Sequence, residues 1–194
     1  MRRETVKETW KNLVKAFIGE SIARNKYTFY AKKAKEEGYV FLNKVFLETA
    51  ENEKEHAENL IELIKQLGIG KLELNIDLEI VFGSTVENLK SSIEGEKFEN
   101  EVMYPKFAEV AEIEGYEEIA KKLRSIAVSE KHHEERFRIL LERIENGSFF
   151  KRDKEVEWIC LECGYVHVDK EPPALCPSCG HPSSYYVSWG MLSL

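Results

Sequence analysis

The segment Glu48-Thr49-Ala50-Glu51-Asn52-Glu53-Lys54-Glu55-His56-Ala57-Glu58-Asn59 sets Glu53 and His56 three residues apart inside a strongly helical run. Residues i and i+3 share one face of a helix, so a carboxylate and an imidazole held this way can reach a single metal ion. The device recurs at Glu130 and His133. A Glu-rich helix produces one Glu-x-x-His by chance. Two copies, with further carboxylates at Glu20 in FIGES and at Glu96 and Glu99 in EGEKFEN, point to a common site. A Glu from each of two helices and Glu-x-x-His from each of two others make up the dinuclear carboxylate site of a four-helix bundle.

Working outward, Thr5 and Glu8 form a capping-box start. Trp10, Leu13, Val14, Phe17, Ile18 and Ile22 then recur at helical spacing in a first helix reaching about Glu37. Glu20 lies among these apolar residues. Tyr27, two turns further on the same face, is placed to donate to a ligand carboxylate or simply to fill the core. Gly38 breaks the chain, and a second helix runs from about Val40 to Leu67 with Gly68 as its C-cap. The stretch from Gly68 to Ser84 is too long for a tight connection. At about 3.3 Å per residue it reaches roughly 50 Å, enough to return along a helix of about 42 Å. It therefore reads as a crossover, in preference to a β-hairpin arm. Ser84 or Thr85 opens a third helix that continues to about Glu114 and bends at Pro105. The fourth spans roughly Tyr116 to Asn146. Glu94 lies about 160° from Glu96 around the helix and is expected in solvent, and His132 is out of register with Glu130.

Gly19-Glu20 precedes Glu53 and His56 by the same interval, to within one residue, that separates Gly95-Glu96 from Glu130 and His133. Two related helical hairpins would present Glu20, Glu53 and His56 to one metal and Glu96, Glu130 and His133 to the other, with Glu53 and Glu130 able to bridge. Glu99 is a surplus carboxylate without a counterpart in the first hairpin. Burying so many ionisable groups is prohibitively costly unless they are paired or metal-bound. The expected fold is mainly α: a ferritin-like four-helix bundle over residues 1–146 with one long crossover between its second and third helices.

A charged linker (147–157) leads to a small domain (158–194) in which helical periodicity stops. Cys160-x-x-Cys163 and Cys176-x-x-Cys179 are each followed by a glycine, Gly164 and Gly180, which permits the tight turns that aim amides at sulfur. Four thiolates make a tetrahedral site for zinc or a single iron. Trp158, Tyr165, Tyr185, Tyr186 and Trp189 supply the core of this domain, and His167 and His181 are expected at the surface or beside the cysteines.

A net charge of -7 argues against a general nucleic-acid binder. No run of about eighteen apolar residues suggests a membrane span, and MRRETVKETWKNLV lacks the apolar core of a signal peptide. The expected location is cytoplasmic, where paired C-x-x-C motifs read as metal ligands rather than disulfides.

Across nearly its whole length the chain resembles the rubrerythrins, in FIGESIARNKY, ETAENEKEHA, GEKFENEVMYPKFA, SIAVSEKHHEERF, CLECGYVH and CPSCGHP. The resemblance implies a di-iron centre on Glu20, Glu53, Glu96, Glu99, Glu130, His56 and His133, with Glu99 and His56 alternating on one iron as the redox state changes. It implies a rubredoxin-like iron on Cys160, Cys163, Cys176 and Cys179, and hydrogen-bonding roles for Tyr27 and Tyr104. The expected activity is that of a peroxidase reducing hydrogen peroxide to water in oxidative-stress defence. Electrons would come from a rubredoxin or an NAD(P)H-linked reductase. No Gly-x-Gly-x-x-Gly motif is present, so the nicotinamide would sit on that partner. Ferrous oxidation and iron handling, or a zinc-ribbon interaction module on a structural bundle, are the alternatives. His133 and Gly147 are fourteen residues, about 21 Å of helix, apart, and the linker offers only Phe149 and Phe150 to hold a folded-back pose. A head-to-tail homodimer, or a helix-swapped version of it, is therefore expected to carry electrons between subunits.

Overall fold

A computed structural model describes residues 7–71, 73–75 and 81–192; Thr5 lies outside them. The helices are α1 (Glu8–Glu36), α2 (Val40–Gln66), α3 (Thr85–Phe98), α4 (Tyr104–Ile113) and α5 (Glu117–Glu145). A π-helical turn, Glu99–Met103, joins α3 to α4 in one rod, so four rods form the bundle.

Each hairpin turns on the same tripeptide, Glu37-Gly38-Tyr39 between α1 and α2 and Glu114-Gly115-Tyr116 between α4 and α5. Gly38 and Gly115 take φ of 87° and 84°, the left-handed region that glycine adopts without a Cβ clash. The amides of Tyr39 and Tyr116 then donate to the carbonyls of Ala34 and Ala111, both at 2.8 Å, closing matching helix C-caps. The two hairpins are copies of one unit.

The connection between them is the long crossover. Ser84 and Glu87 form a capping box at the start of α3, and the amide of Thr85 donates to Glu37 Oε2 at 2.9 Å. At the opposite end, Glu114 accepts from the amides of Glu8 and Thr9, each at 3.0 Å. Thus α3 begins where α1 ends, and the chain returns the length of the bundle between α2 and α3, as in ferritin-like bundles.

The third rod is irregular where the proline stands. The amide of Tyr104 donates to Glu99 O, five residues back, because Pro105 has no N–H and its ring crowds the preceding turn. Widening that turn inserts one residue. Glu96 lies seventeen positions before the end of α4, against sixteen from Glu20 to the end of α1, which accounts for the unequal intervals of the two repeats. Asn100 Nδ2 pins the wide turn, donating at 2.9 Å both to Glu96 O and to Glu134 Oε2 on α5.

Leu13, Ala16, Leu60, Tyr104, Ala108 and Leu123 fill one end of the bundle, and Tyr27, Tyr30, Leu42, Phe46, Phe137 and Leu140 fill the other. Glu20, Glu53, Glu96 and Glu130 lie between these layers in sequence and in space. Each fully buried Leu or Phe contributes about 1.5–3 kcal/mol, so two apolar layers offset the cost of the polar layer they enclose.

The small domain is an antiparallel sheet of β1 (Val156–Cys160), β2 (Val166–Asp169) and β3 (Tyr186–Ser188), in the order β2-β1-β3. Trp158 and Tyr186 pack with Cys160 and Cys176. The linker is held more firmly than expected. Phe149 and Phe150 pack on Tyr39 with ring centroids 5.0 and 6.0 Å away, Val187 and Met191 join the bundle core, and Lys44 Nζ donates to Leu161 O at 3.2 Å. Two aromatic rings suffice because the sheet adds its own apolar edge. Among the described residues no helix is long and apolar enough to cross a membrane.

Candidate metal centre

Ligand atoms of Glu20 (α1), Glu53 and His56 (α2) and Glu130 (α5) lie within 4.8 Å of one another. So do those of Glu53, Glu96 (α3), Glu130 and His133 (α5), and Glu53 and Glu130 belong to both groups. His56 Nδ1 is 3.0 Å from Glu53 Oε2 and from Glu130 Oε1, and 3.7 Å from Glu20 Oε2. His133 Nδ1 is 3.0 Å from Glu130 Oε2, 3.2 Å from Glu53 Oε1 and 3.5 Å from Glu96 Oε2. Metal bonds of about 2.1 Å give ligand-to-ligand edges of roughly 3.0 Å in an octahedron and 3.4 Å in a tetrahedron, so these separations suit atoms that converge on a cation.

The donors also behave as ligands without a protein partner. Glu20 Oε2, Glu53 Oε1, Glu96 Oε2, both Glu130 oxygens and His133 Nδ1 are buried and make no hydrogen bond, although several lie at ion-pair distance. Their geometry satisfies a common third atom rather than each other. Orphaned carboxylate oxygens in an apolar interior are costly, and a mixed carboxylate and imidazole shell suits two irons. Electrostatics agree. Burial favours a neutral ring, yet Glu130, Glu20 and Glu53 pull His56 up to about 12. Burial raises Glu20, and it raises Glu96 to about 7. Glu53 falls to about 2 against burial, through His133 and His56. The cage needs more positive charge than the protein supplies.

Glu99 stands beside these groups and outside both. Its Oε1 would lie 4.0 Å from a Cβ built at Gly19. Burial and then Glu20, Glu96, Glu130 and Glu53 push its carboxyl well above the usual range. The tyrosines act across the two hairpins: Tyr27 donates to Glu96 Oε1, and Tyr104 to Glu20 Oε1. Burial and the neighbouring carboxylates raise both phenols, which keeps them protonated and able to donate. Tyr27→Phe leaves Glu96 Oε1 without its buried donor and is expected to cost about 1–3 kcal/mol. Denaturant unfolding of the metal-free protein checks this, and an unchanged midpoint would contradict it.

Asn52, Ser129, Val128 and His132 line a cleft of about 360 Å³ that reaches His56 and His133. His132 is exposed at its mouth, facing away from the cage as its spacing predicts. Asn52 Oδ1 lies 3.3 Å from His133 Nε2 and so turns Nδ1 toward the carboxylates. Sequence reading missed Asn52, Asn100 and Glu134. Asn52 and Glu134 lie in Glu-rich helices with nothing to single them out, and Asn100 acquires its role only from the wide turn.

In the small domain, Cys160 Sγ is 3.7 Å from Cys179 Sγ and Cys163 Sγ is 3.6 Å from Cys176 Sγ. A tetrahedron with metal–sulfur bonds of about 2.3 Å has edges of roughly 3.8 Å, so the thiols fit one metal. Gly164 and Gly180 have φ of 76° and 75°. His181 Nδ1 lies 3.3 Å from Cys179 Sγ, while His167 faces Asp169 at 3.9 Å. Against desolvation, the Tyr186 hydroxyl and the amides of Cys179 and Ser178 lower Cys176 to about 6. A depressed pKa means thiolate above about pH 6 and its loss below. Cys176 is buried and Cys163 exposed, so in metal-free protein iodoacetamide is expected to alkylate Cys163 before Cys176 despite the lower pKa of Cys176, as peptide mapping would show.

A buried carboxylate and imidazole cage in a ferritin-like bundle, joined to a four-thiolate domain, defines the class of di-iron oxidoreductases with their own rubredoxin-like site. Residues 11–141 match the family model for rubrerythrin, and 158–187 the model for its rubredoxin-like domain. The chain belongs to the rubrerythrin family and carries that family's di-iron and four-cysteine sites. A Methanocaldococcus jannaschii relative is 57% identical over 191 residues, covering 93% of this chain and 92% of its own. The rubrerythrin of Porphyromonas gingivalis is 47% identical over 180 residues, covering 92% and 88%. The solved structure of fully reduced, all-ferrous nigerythrin superposes with a TM-score of 0.64 at 29% identity, over 96% of this chain and 89% of that one.

Proposed function

We propose that this protein is a non-haem di-iron peroxidase that reduces hydrogen peroxide to water, with residues 1–146 holding the di-iron centre and 158–194 a relay iron. The observation that carries this reading is the pair of donor groups sharing Glu53 and Glu130 beside a cleft open to a small substrate. Glu20, Glu53, His56, Glu96, Glu130 and His133 would hold two ferrous ions, which would supply the two electrons that cleavage of the O–O bond takes, with two protons completing two waters.

The residues supply the rest. Four carboxylates would match the charge of two ferrous ions with both imidazoles neutral, and withdrawal of two electrons would leave the cage short of anions. Glu99, whose carboxylate makes no hydrogen bond among the described residues, would answer that shortage by exchanging with His56. Tyr27 and Tyr104 hold Glu96 and Glu20 in place and keep their own protons. The apolar layers on either side keep bulk water out. Cys160, Cys163, Cys176 and Cys179 hold the relay iron, and a rubredoxin or an NAD(P)H-linked reductase is its donor.

The test is anaerobic peroxide consumption by the iron-loaded protein with electrons fed through such a reductase. The expected result is bleaching of the red four-thiolate colour on reduction and its return on adding peroxide. One zinc and no iron per chain would overturn the reading. Glu99→Ala is expected to keep its iron and lose turnover at least tenfold, and unchanged turnover would remove its assigned role.

A further inference from the structure

Arg143 near the end of α5 and Arg152 in the linker line a cleft of about 370 Å³ together with Ser148, Lys151 and Asp153. Every acceptor around Arg152 is neutral. Its Nη1 donates to the carbonyl of Ser148 and to that of Lys151 at 2.7 Å. Its Nη2 donates to Ser188 Oγ at 2.7 Å and contacts Met191 Sδ at 3.2 Å, and the guanidinium lies 5.2 Å from the Trp158 ring centre. Arg143 has no carboxylate within ion-pair distance among the described residues, and its Nε is buried without a hydrogen-bond partner. Burial and then the charge of Arg143 lower the pKa of Arg152, so the two cations are close enough to repel. Lys151 is occupied by Glu171 at 2.7 Å. Asp153, a carboxylate on the rim, pairs with neither arginine.

Two partly buried guanidiniums facing one cleft without an ion-paired anion are an unfavourable arrangement in isolation. The forked donors of Arg143 match the oxygens of a phosphate, and Arg152, whose Nη groups are engaged by neutral acceptors, adds a fixed positive charge beside them. We propose that Arg143 and Arg152 form a binding site for a phosphate-class oxyanion, either free phosphate or the terminal phosphate of a nucleotide. Arg143 belongs to the bundle, and Arg152 is tied to the small domain through Ser188 and Trp158. The bound anion therefore clasps one domain to the other and stiffens the joint between the two metal sites.

The test titrates inorganic phosphate and, separately, ADP into the full metal-loaded chain at low ionic strength by calorimetry, with hydrogen exchange following residues 147–153. The expected result is one saturable site per chain and slower exchange in that segment. Arg143→Gln should weaken binding at least tenfold and remove the protection, while Arg143→Lys keeps part of both. Tighter binding of ADP identifies a nucleotide as the source, and equal binding identifies the free anion. No saturable binding in the wild type, as expected if Asp153 is the counter-ion, overturns the proposal. So does equal affinity in Arg143→Gln, which is how phosphate held at the irons would behave.

Discussion

Glu53→Ala is expected to leave the bundle unable to hold either iron, dropping the metal content from about three irons per chain to about one, the one on the four cysteines. The reason is geometric. Glu53 contributes one oxygen to the group around His56 and the other to the group around His133, so a single truncation opens both. Glu20 enters one group only, and Glu20→Ala is expected to keep the metal on the Glu96 side. Each metal held at a thousandfold excess over its Kd adds about 4 kcal/mol to stability. At about 2–4 °C per kcal/mol for a chain of this size, loss of both lowers Tm by at least about 15 °C. Elemental analysis and calorimetry of the two variants side by side measure this. A Glu53→Ala protein that retains two bundle irons would exclude a shared ligand.

The donor set was legible in the sequence because helical spacing alone puts Glu53 with His56 and Glu130 with His133 on common faces, and the near-equal repeat intervals pair the hairpins. The crossover was legible because its length matches that of a helix. The one-residue difference between the repeats was visible, but its cause was not. A π turn needs the absent amide of Pro105, the reach of Asn100 and the buried carboxylate of Glu134 together, and no local pattern brings those three into one place. That turn also carries Glu99, so the departure from symmetry in the fold and in the cage share one inserted residue. The docking of the small domain was misjudged for a related reason. Phe149 and Phe150 look isolated in a charged linker, and their partner Tyr39 belongs to a turn more than a hundred residues earlier.

That docking sharpens the expectation about electron flow. Leu161, next to Cys160, sits against Lys44 near the start of α2, and His56 lies twelve residues further along, about 18 Å of helix. Tunnelling falls steeply with distance, so the small domain's position on its own bundle disfavours transfer within one chain. A two-fold head-to-tail pair would instead set each four-cysteine iron beside the partner subunit's cage. Val128 at the cleft mouth and Val168 and Leu175 on the small domain are 70%, 59% and 63% exposed, leaving apolar surface for such a contact. The decisive mixture combines a chain carrying Cys160→Ser with Cys176→Ser and a chain carrying Glu53→Ala with Glu130→Ala. Each alone should be inactive as a donor-dependent peroxidase. The hybrid is expected to recover up to half the wild-type rate, because its one intact cage faces its one intact relay iron. A purified hybrid that stays inactive with both remaining sites loaded would place the transfer within a single chain.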